Sequence, residues 1–245
     1  MKTRETFDVL LLIARPAGGK SEISSYLNQF SLEDREARFH IGNLEEIDDF
    51  PMLWAWFEED HILTEMGFPR LHTDENEYFI GDHLWNVLIR RVCLEYSKKL
   101  RDDPAYHEHS TTILEFSRGV QHGGYREAFK HLTKEIVDKL AIMYVKVSWE
   151  ESQRKNRVRF NPDCPDSILE HGLSDEKLAT LYKEDDWESL SSGNDEFITV
   201  QKQKIPYVIF ENEDDVTSVG GEPLAERLES ALKRLWHLYQ ANKEG

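Results

Sequence analysis

Cysteine is nearly missing from this chain: Cys93 and Cys164 are the two among 245 residues. Two are too few for a disulfide framework, and they lack the paired spacing of a metal site. Cys93 lies among Val87, Leu88, Ile89, Val92 and Leu94 and reads as a core residue, whereas Cys164, between Asp163 and Pro165, falls in a loop-like stretch. Positive charge is also short. Thirty Lys and Arg stand against 47 Asp and Glu, a net charge of −17. Such a surface repels phosphodiester backbones and anionic membranes at long range, which argues against nucleic-acid and membrane partners but leaves room for a local basic pocket. No long apolar run occurs. The first one, Val9 to Ala14, is far shorter than a spanning helix and has no signal-peptide cleavage pattern, so a cytoplasmic location is expected. There is no internal repeat and no low-complexity tract. What is present is 39% hydrophobic residues with 6 Trp, 9 Tyr and 12 Phe, enough for one sizeable core. The length suits one α/β domain with insertions, or at most two small domains.

The pattern along the chain alternates. Phe7–Ala14, Thr111–Phe116, Ala141–Val147 and Ile205–Phe210 are short, continuously apolar runs, the signature of strands buried on both faces, and Arg38–Ile41 is a further strand candidate. Helical spacing is read over Ser21–Phe30, Ile47–Gly67, Asp82–Leu100, Tyr125–Leu140, Trp149–Phe160 and Glu222–Gln240. Asn161–Asn194 is acidic, polar and punctuated by Pro and Gly. Strands alternating with helices predict a three-layer α/β fold with a parallel sheet of about five strands flanked by helices.

Between the first strand and first helix lies Ala14-Arg15-Pro16-Ala17-Gly18-Gly19-Lys20-Ser21. It fits G-x-x-x-x-G-K-[ST] except that Ala14 replaces the first Gly. A strand that ends, a backbone that wraps with its N–H groups inward, and a helix whose positive end follows together make a phosphate cradle. Gly18 and Gly19 permit close backbone approach, and Pro16 has no N–H, so donors come from Ala17 onwards. Lys20 can bridge β- and γ-phosphate oxygens, and the Ser21 hydroxyl can ligate Mg²⁺.

On this loop in its strand–helix setting, the chain resembles P-loop NTPases of the kinase branch, nucleotide- and nucleoside-kinase-like. That resemblance implies ATP and Mg²⁺ as cofactors and a single domain over 1–245, with a helical acceptor-side insertion over about 43–105 and a lid-like segment over about 149–194. It also implies roles at three further places. The strand ending in Glu115 would hold Mg²⁺, with Arg118 after it against a phosphate. The helix after the fourth apolar run resembles a lid helix whose Arg154 and Arg157, three residues apart, close over the transferring phosphoryl group. The alternative there is a solvated helix with Glu150 and Arg154 paired. Asn212, after the last strand, would border the adenine; Asn is equally an ordinary turn residue there.

The acceptor should lie beyond the carboxyl ends of the strands. His40, Asp48 and Asp49 are candidates for base or substrate contact, although adjacent carboxylates are also a common solvated face. Trp54 and Trp56 cannot both face one side of a helix. Gln121–Arg126, with two glycines, suits a tight substrate loop or only a turn. The expected function is an ATP-dependent small-molecule kinase of unassigned acceptor; the alternative is a nucleotide-binding regulator or weak ATPase.

Overall fold

The computed structural model describes residues 5–161, 163 and 172–244; Cys164 and most of the stretch around it lie outside these. In chain order the elements are β1 (Val9–Ala14), α1 (Lys20–Leu27), α2 (Leu32–Phe39), β2 (Asn43–Asp48), α3 (Phe50–Glu65) and α4 (His83–Asp102). There follow β3 (Ser110–Phe116), α5 (Gly124–Lys130), α6 (Lys134–Val137), β4 (Leu140–Lys146) and α7 (Trp149–Arg159). The last group is α8 (Asp175–Tyr182), α9 (Trp187–Ser191), β5 (Phe197–Val200), β6 (Gln203–Glu211), α10 (Val216–Val219) and α11 (Gly221–Glu244).

Six strands form one sheet in the order β2-β3-β1-β4-β6-β5, parallel except for β5, which runs antiparallel to β6. Alternation along β1 explains the three layers. Val9, Leu11 and Ile13 pack on one face with Ile89, Val92 and Tyr96 of α4 and Phe129 of α5. Leu10, Leu12 and Ala14 pack on the other with Ile23 and Leu27 of α1, Phe39 of α2 and Leu224, Leu228 and Leu232 of α11. A strand covered on both sides must be apolar at every position, and all six β1 residues are buried. The expected α/β class is therefore observed, with one strand more than the sequence suggested.

Several local readings are corrected. Arg38 and Phe39 end α2 rather than starting a strand: Ser31 caps this helix by accepting from the Asp34 amide at 3.1 Å, and His40 closes it with φ 57°. The second strand is the acidic segment Asn43–Asp48 itself. The helix read over Tyr125–Leu140 is two short helices, α5 and α6. β5 reaches β6 through Gln201 and Lys202, both at positive φ (47° and 71°). This is a two-residue hairpin turn made without the glycine that normally marks one.

The stretch from α3 to α4 builds an aromatic subdomain beside the carboxyl ends of β1 and β3. Asp60, fully buried in α3, accepts from the amides of Leu71 (2.7 Å), His72 (3.1 Å) and Thr73 (2.6 Å) and from the Thr73 hydroxyl (2.7 Å). Burial alone would raise its pKa; these donors hold it below the usual carboxylate value and fold the following loop back onto α3. Leu53, Trp56, Trp85 and Leu88 form the core of this region. Among the described residues, no helix is long and apolar enough to cross a membrane.

Candidate phosphate-binding site

The loop after β1 is shaped by its neighbours on every side. Ala14, the last residue of β1, is fully buried, and its carbonyl accepts from the Tyr125 hydroxyl at 3.0 Å. The Gly18 amide donates back to the Arg15 carbonyl at 3.1 Å, with Ala17 at φ 55° and Gly19 at φ 109°. A Cβ on Gly18 would meet Ala14 Cβ at 2.8 Å, so a small Ala at the first motif position fits because Gly18 has no side chain. A Cβ on Gly19 would lie 2.7 Å from both Asn212 Nδ2 and Thr217 Oγ1. No side chain caps α1. Its first-turn amides therefore have no intrahelical partner, and the helix presents its positive end at the loop, the arrangement that receives an anion.

Residues behind the loop fix its position. Asn212 is fully buried, and its amide donates to the Gly18 carbonyl (2.9 Å) and to Thr217 Oγ1 (2.9 Å) while accepting from the Thr217 amide (3.2 Å). It braces the loop from behind, whereas the expected place was beside an adenine. Ser152 of α7 donates to the Pro16 carbonyl at 2.8 Å, and Lys155 reaches Asp215 at 2.6 Å. Arg15 pairs with Asp185 at 3.0 Å.

In front of the loop lies a cleft of about 100 Å³. Ala17, Lys20, Ser21, Glu115 and Arg118, five of the residues singled out in the sequence, line it. Lys20 Nζ donates to Ser117 Oγ at 2.9 Å at the end of β3. Arg118 is 2% exposed and forms a 2.7 Å ion pair with Asp49. It also donates to the Trp85 carbonyl at 3.1 Å.

Register places three carboxylates together. Parallel pairing sets Asp48 of β2 against Glu115 of β3, and Glu46 shares a strand face with Asp48 two residues on. Oxygens of Glu46, Asp48 and Glu115 lie within 4.8 Å of one another. Burial, only partly offset by Lys20, pushes the Glu115 carboxyl up to about 8. Burial and the adjacent Asp49 push Asp48 up to about 7, and burial raises Glu46 as well. Ser24 donates to Glu115 Oε1 at 2.7 Å, while Oε2 is buried without a partner. Crowded carboxylate oxygens with an unsatisfied acceptor are the donor set a hard divalent cation such as Mg²⁺ takes.

α7 does not turn its expected arginines to the cleft. Arg154 is half exposed and pairs with Glu151 and Asp215 at 2.6 Å, and Arg157 pairs with Asp175 at 2.6 Å. The inward stripe is Ser152, Lys155, Asn156 and Arg159, spaced three and four residues apart, and of these Asn156 and Arg159 line the cleft. Arg159 was not anticipated. Burial lowers its pKa, and Glu22, Asp48 and Glu115 counter that effect. Towards the end of the segment expected to act as a lid, Asp186 accepts from the amides of Tyr125 (2.7 Å) and Arg126 (3.0 Å), and Trp187 is stacked on Tyr144 at 4.7 Å in the core. His40 is outside the cleft, stacked on Trp236 at 4.9 Å.

A second, larger cavity of about 690 Å³ adjoins the cleft and shares Phe50, Leu53, Trp85, Leu173 and Tyr182 with it. Trp54 lines this cavity, while Trp56 is buried behind α3 and stacked on His72 at 4.9 Å. No motif in the sequence announced it, because its walls come from stretches far apart in the chain, within 50–61, 77–85, 121–122 and 172–182, together with Phe160.

No protein-family model and no curated protein matches the chain. Among solved structures it is similar to a sugar kinase from Janibacter sp. HTCC2649, with 13% identity, coverage of 95% of this chain and 98% of that one, and a TM-score of 0.43. A shikimate kinase from Bacteroides thetaiotaomicron matches at 13% identity over 96% of this chain and 99% of that one, with a TM-score of 0.40. A protein from Thermus thermophilus matches at 15% identity over 93% and 95%, with a TM-score of 0.45. These likenesses are distant.

Proposed function

We propose that the chain is an ATP- and Mg²⁺-dependent kinase acting on a small molecule. The observation that carries this reading is the pair of neighbouring cavities: a phosphate-loop cleft beside a separate pocket of about 690 Å³, with Phe50, Leu53, Trp85, Leu173 and Tyr182 lining both. A nucleotide-dependent regulator needs only the first, so the second favours transfer to an acceptor over a switch or a weak ATPase.

The loop amides and Lys20 would hold the β- and γ-phosphates. Glu115, with Ser21, would hold Mg²⁺, which would supply positive charge to offset that of the phosphates. Asp48, which lines the cleft beside Glu115, would take the proton of the acceptor hydroxyl. Arg118, fixed by Asp49, and Arg159, at the end of α7, would offset charge developing on the transferred group. Little covalent chemistry is required of the protein; positioning and electrostatics carry the reaction.

The direct test is Lys20→Ala in the full chain, followed by ATP–Mg²⁺ titration and by transfer of labelled γ-phosphate to a metabolite mixture. Loss of one charge-assisted contact of this kind costs about two to three decades in turnover. Folded mutant protein with unchanged ATP affinity and unchanged turnover would sink the assignment.

A further inference from the structure

The large cavity has the volume of pockets that enclose a single small molecule. Aromatic rings from several elements line its walls: Phe50, Trp54 and Phe57 from α3, Phe79 ahead of α4, Trp85 in the first turn of α4, and Tyr182 at the end of α8. Trp85 stacks on His122 at 3.8 Å and meets Phe79 edge-on at 4.7 Å, so these ring faces are held in place by packing.

The charge of the lining is one-sided. Glu58, Glu77 and Asp82 face Lys177, whose Nζ is committed to Glu77 at 2.6 Å. His61 Nε2 also lies against Glu77, at 3.5 Å. Burial and the nearby Arg118 push His122 down to about 3, so it adds no positive charge near neutrality. Among the described lining residues there is no arginine. Phosphates and carboxylates are met in proteins by Arg and Lys, and an anion desolvated against carboxylates is repelled.

We propose that this cavity receives an uncharged or cationic acceptor with a flat or apolar ring body, and rejects acceptors that already carry a phosphate or a carboxylate. The proposal rests on the kinase reading above and specifies the substrate class of that site.

Tryptophan fluorescence, with Trp54 and Trp85 in the walls, gives the readout. The full chain is saturated with Mg²⁺ and a non-hydrolysable ATP analogue, then titrated with two matched pairs: adenosine and its 5′-monophosphate, and tyramine and 4-hydroxyphenylacetate. In each pair the uncharged or cationic member should bind at least about tenfold tighter. Thr180→Arg, an exposed position in the wall, should narrow that ratio by strengthening binding of the anionic member. Equal or tighter binding of an anionic member to the wild type, or no binding of any of the four, overturns the proposal. The ATP analogue is first titrated alone, so that a failure of the kinase reading shows separately, as absent binding of the analogue.

Discussion

The two adjoining cavities are built on opposite chemistry although they share a wall. The cleft of about 100 Å³ is polar: one lysine, two arginines and several carboxylates, most of them fixed by hydrogen bonds to a neighbouring element. The cavity of about 690 Å³ is held by ring-on-ring packing, and the charged groups on its walls are mainly acidic. The difference points to a division of labour. Charge in the cleft is placed to manage phosphate and metal, where each group must stand at a defined point; shape in the cavity selects a body and excludes water. Arg118 joins the two, since it lines the cleft while donating to the Trp85 carbonyl in the shared wall.

The sharpest way to break this comparison is to remove a cation from the cleft. Arg159→Ala should lower kcat by about two to three decades and raise the ATP KM much less, as expected for a contact made mainly in the transition state. Normal turnover in that variant would remove Arg159 from the site. Next in size is Gly19→Ala. Its new Cβ would press on Asn212 and Thr217 at 2.7 Å in a backbone held at φ 109°. A destabilisation of about 2–4 kcal/mol by denaturant titration is expected, together with loss of ATP binding. A variant as stable as the wild type would show that the brace behind the loop is slack.

A pH experiment sharpens the electrostatic half. Glu115 has its folded pKa raised from 4.5 to about 8, and Asp48 has its own raised to about 7. The folded chain thus keeps protons that the unfolded chain releases, a stabilising effect present in full below the unfolded pKa values. It is lost as pH rises through the folded ones, so the ligand-free protein should become steadily less stable between about pH 4.5 and pH 8. Glu115→Gln, which cannot ionise, should flatten that slope, and Mg²⁺ with nucleotide should flatten it in the wild type. A thermal melt series with equal slopes in all three would show that Glu115 is already ionised in the free protein. The smallest effect belongs to the outer face of α7. Arg154→Ala with Arg157→Ala should leave kcat and KM within about twofold, because both arginines are spent on exposed ion pairs. A large loss of kcat would show that these side chains swing into the cleft during turnover.

What could be read from the sequence follows from where each element sits. β1, β3, β4 and most of β6 are covered on both faces, so their apolar runs were plain, and the phosphate loop was fixed by short-range spacing. β2 stayed hidden because it is an edge strand bearing Glu45, Glu46 and Asp48, and β5 because its turn uses Gln201 and Lys202. The working face of α7 was illegible for a different reason: its inward residues, Ser152, Lys155, Asn156 and Arg159, are polar, so hydrophobic periodicity gave no bearing. The aromatic cavity could not be read at all, since Trp54, Trp85 and Tyr182 meet only after folding.

The acidic character of β2 has a consequence for the molecule as a whole. As the last strand on its side of the sheet, it exposes backbone groups that could recruit a strand from another copy. Glu45, Glu46 and Asp48 would set like charges opposite one another in such a pairing, and Lys99 is already occupied with Glu45 at 2.8 Å. The carboxylates offered to a cation on one side of the strand therefore also guard its open edge. Neutralising Glu45, which is outside that carboxylate group, should make the protein more prone to self-association while the cleft is left intact.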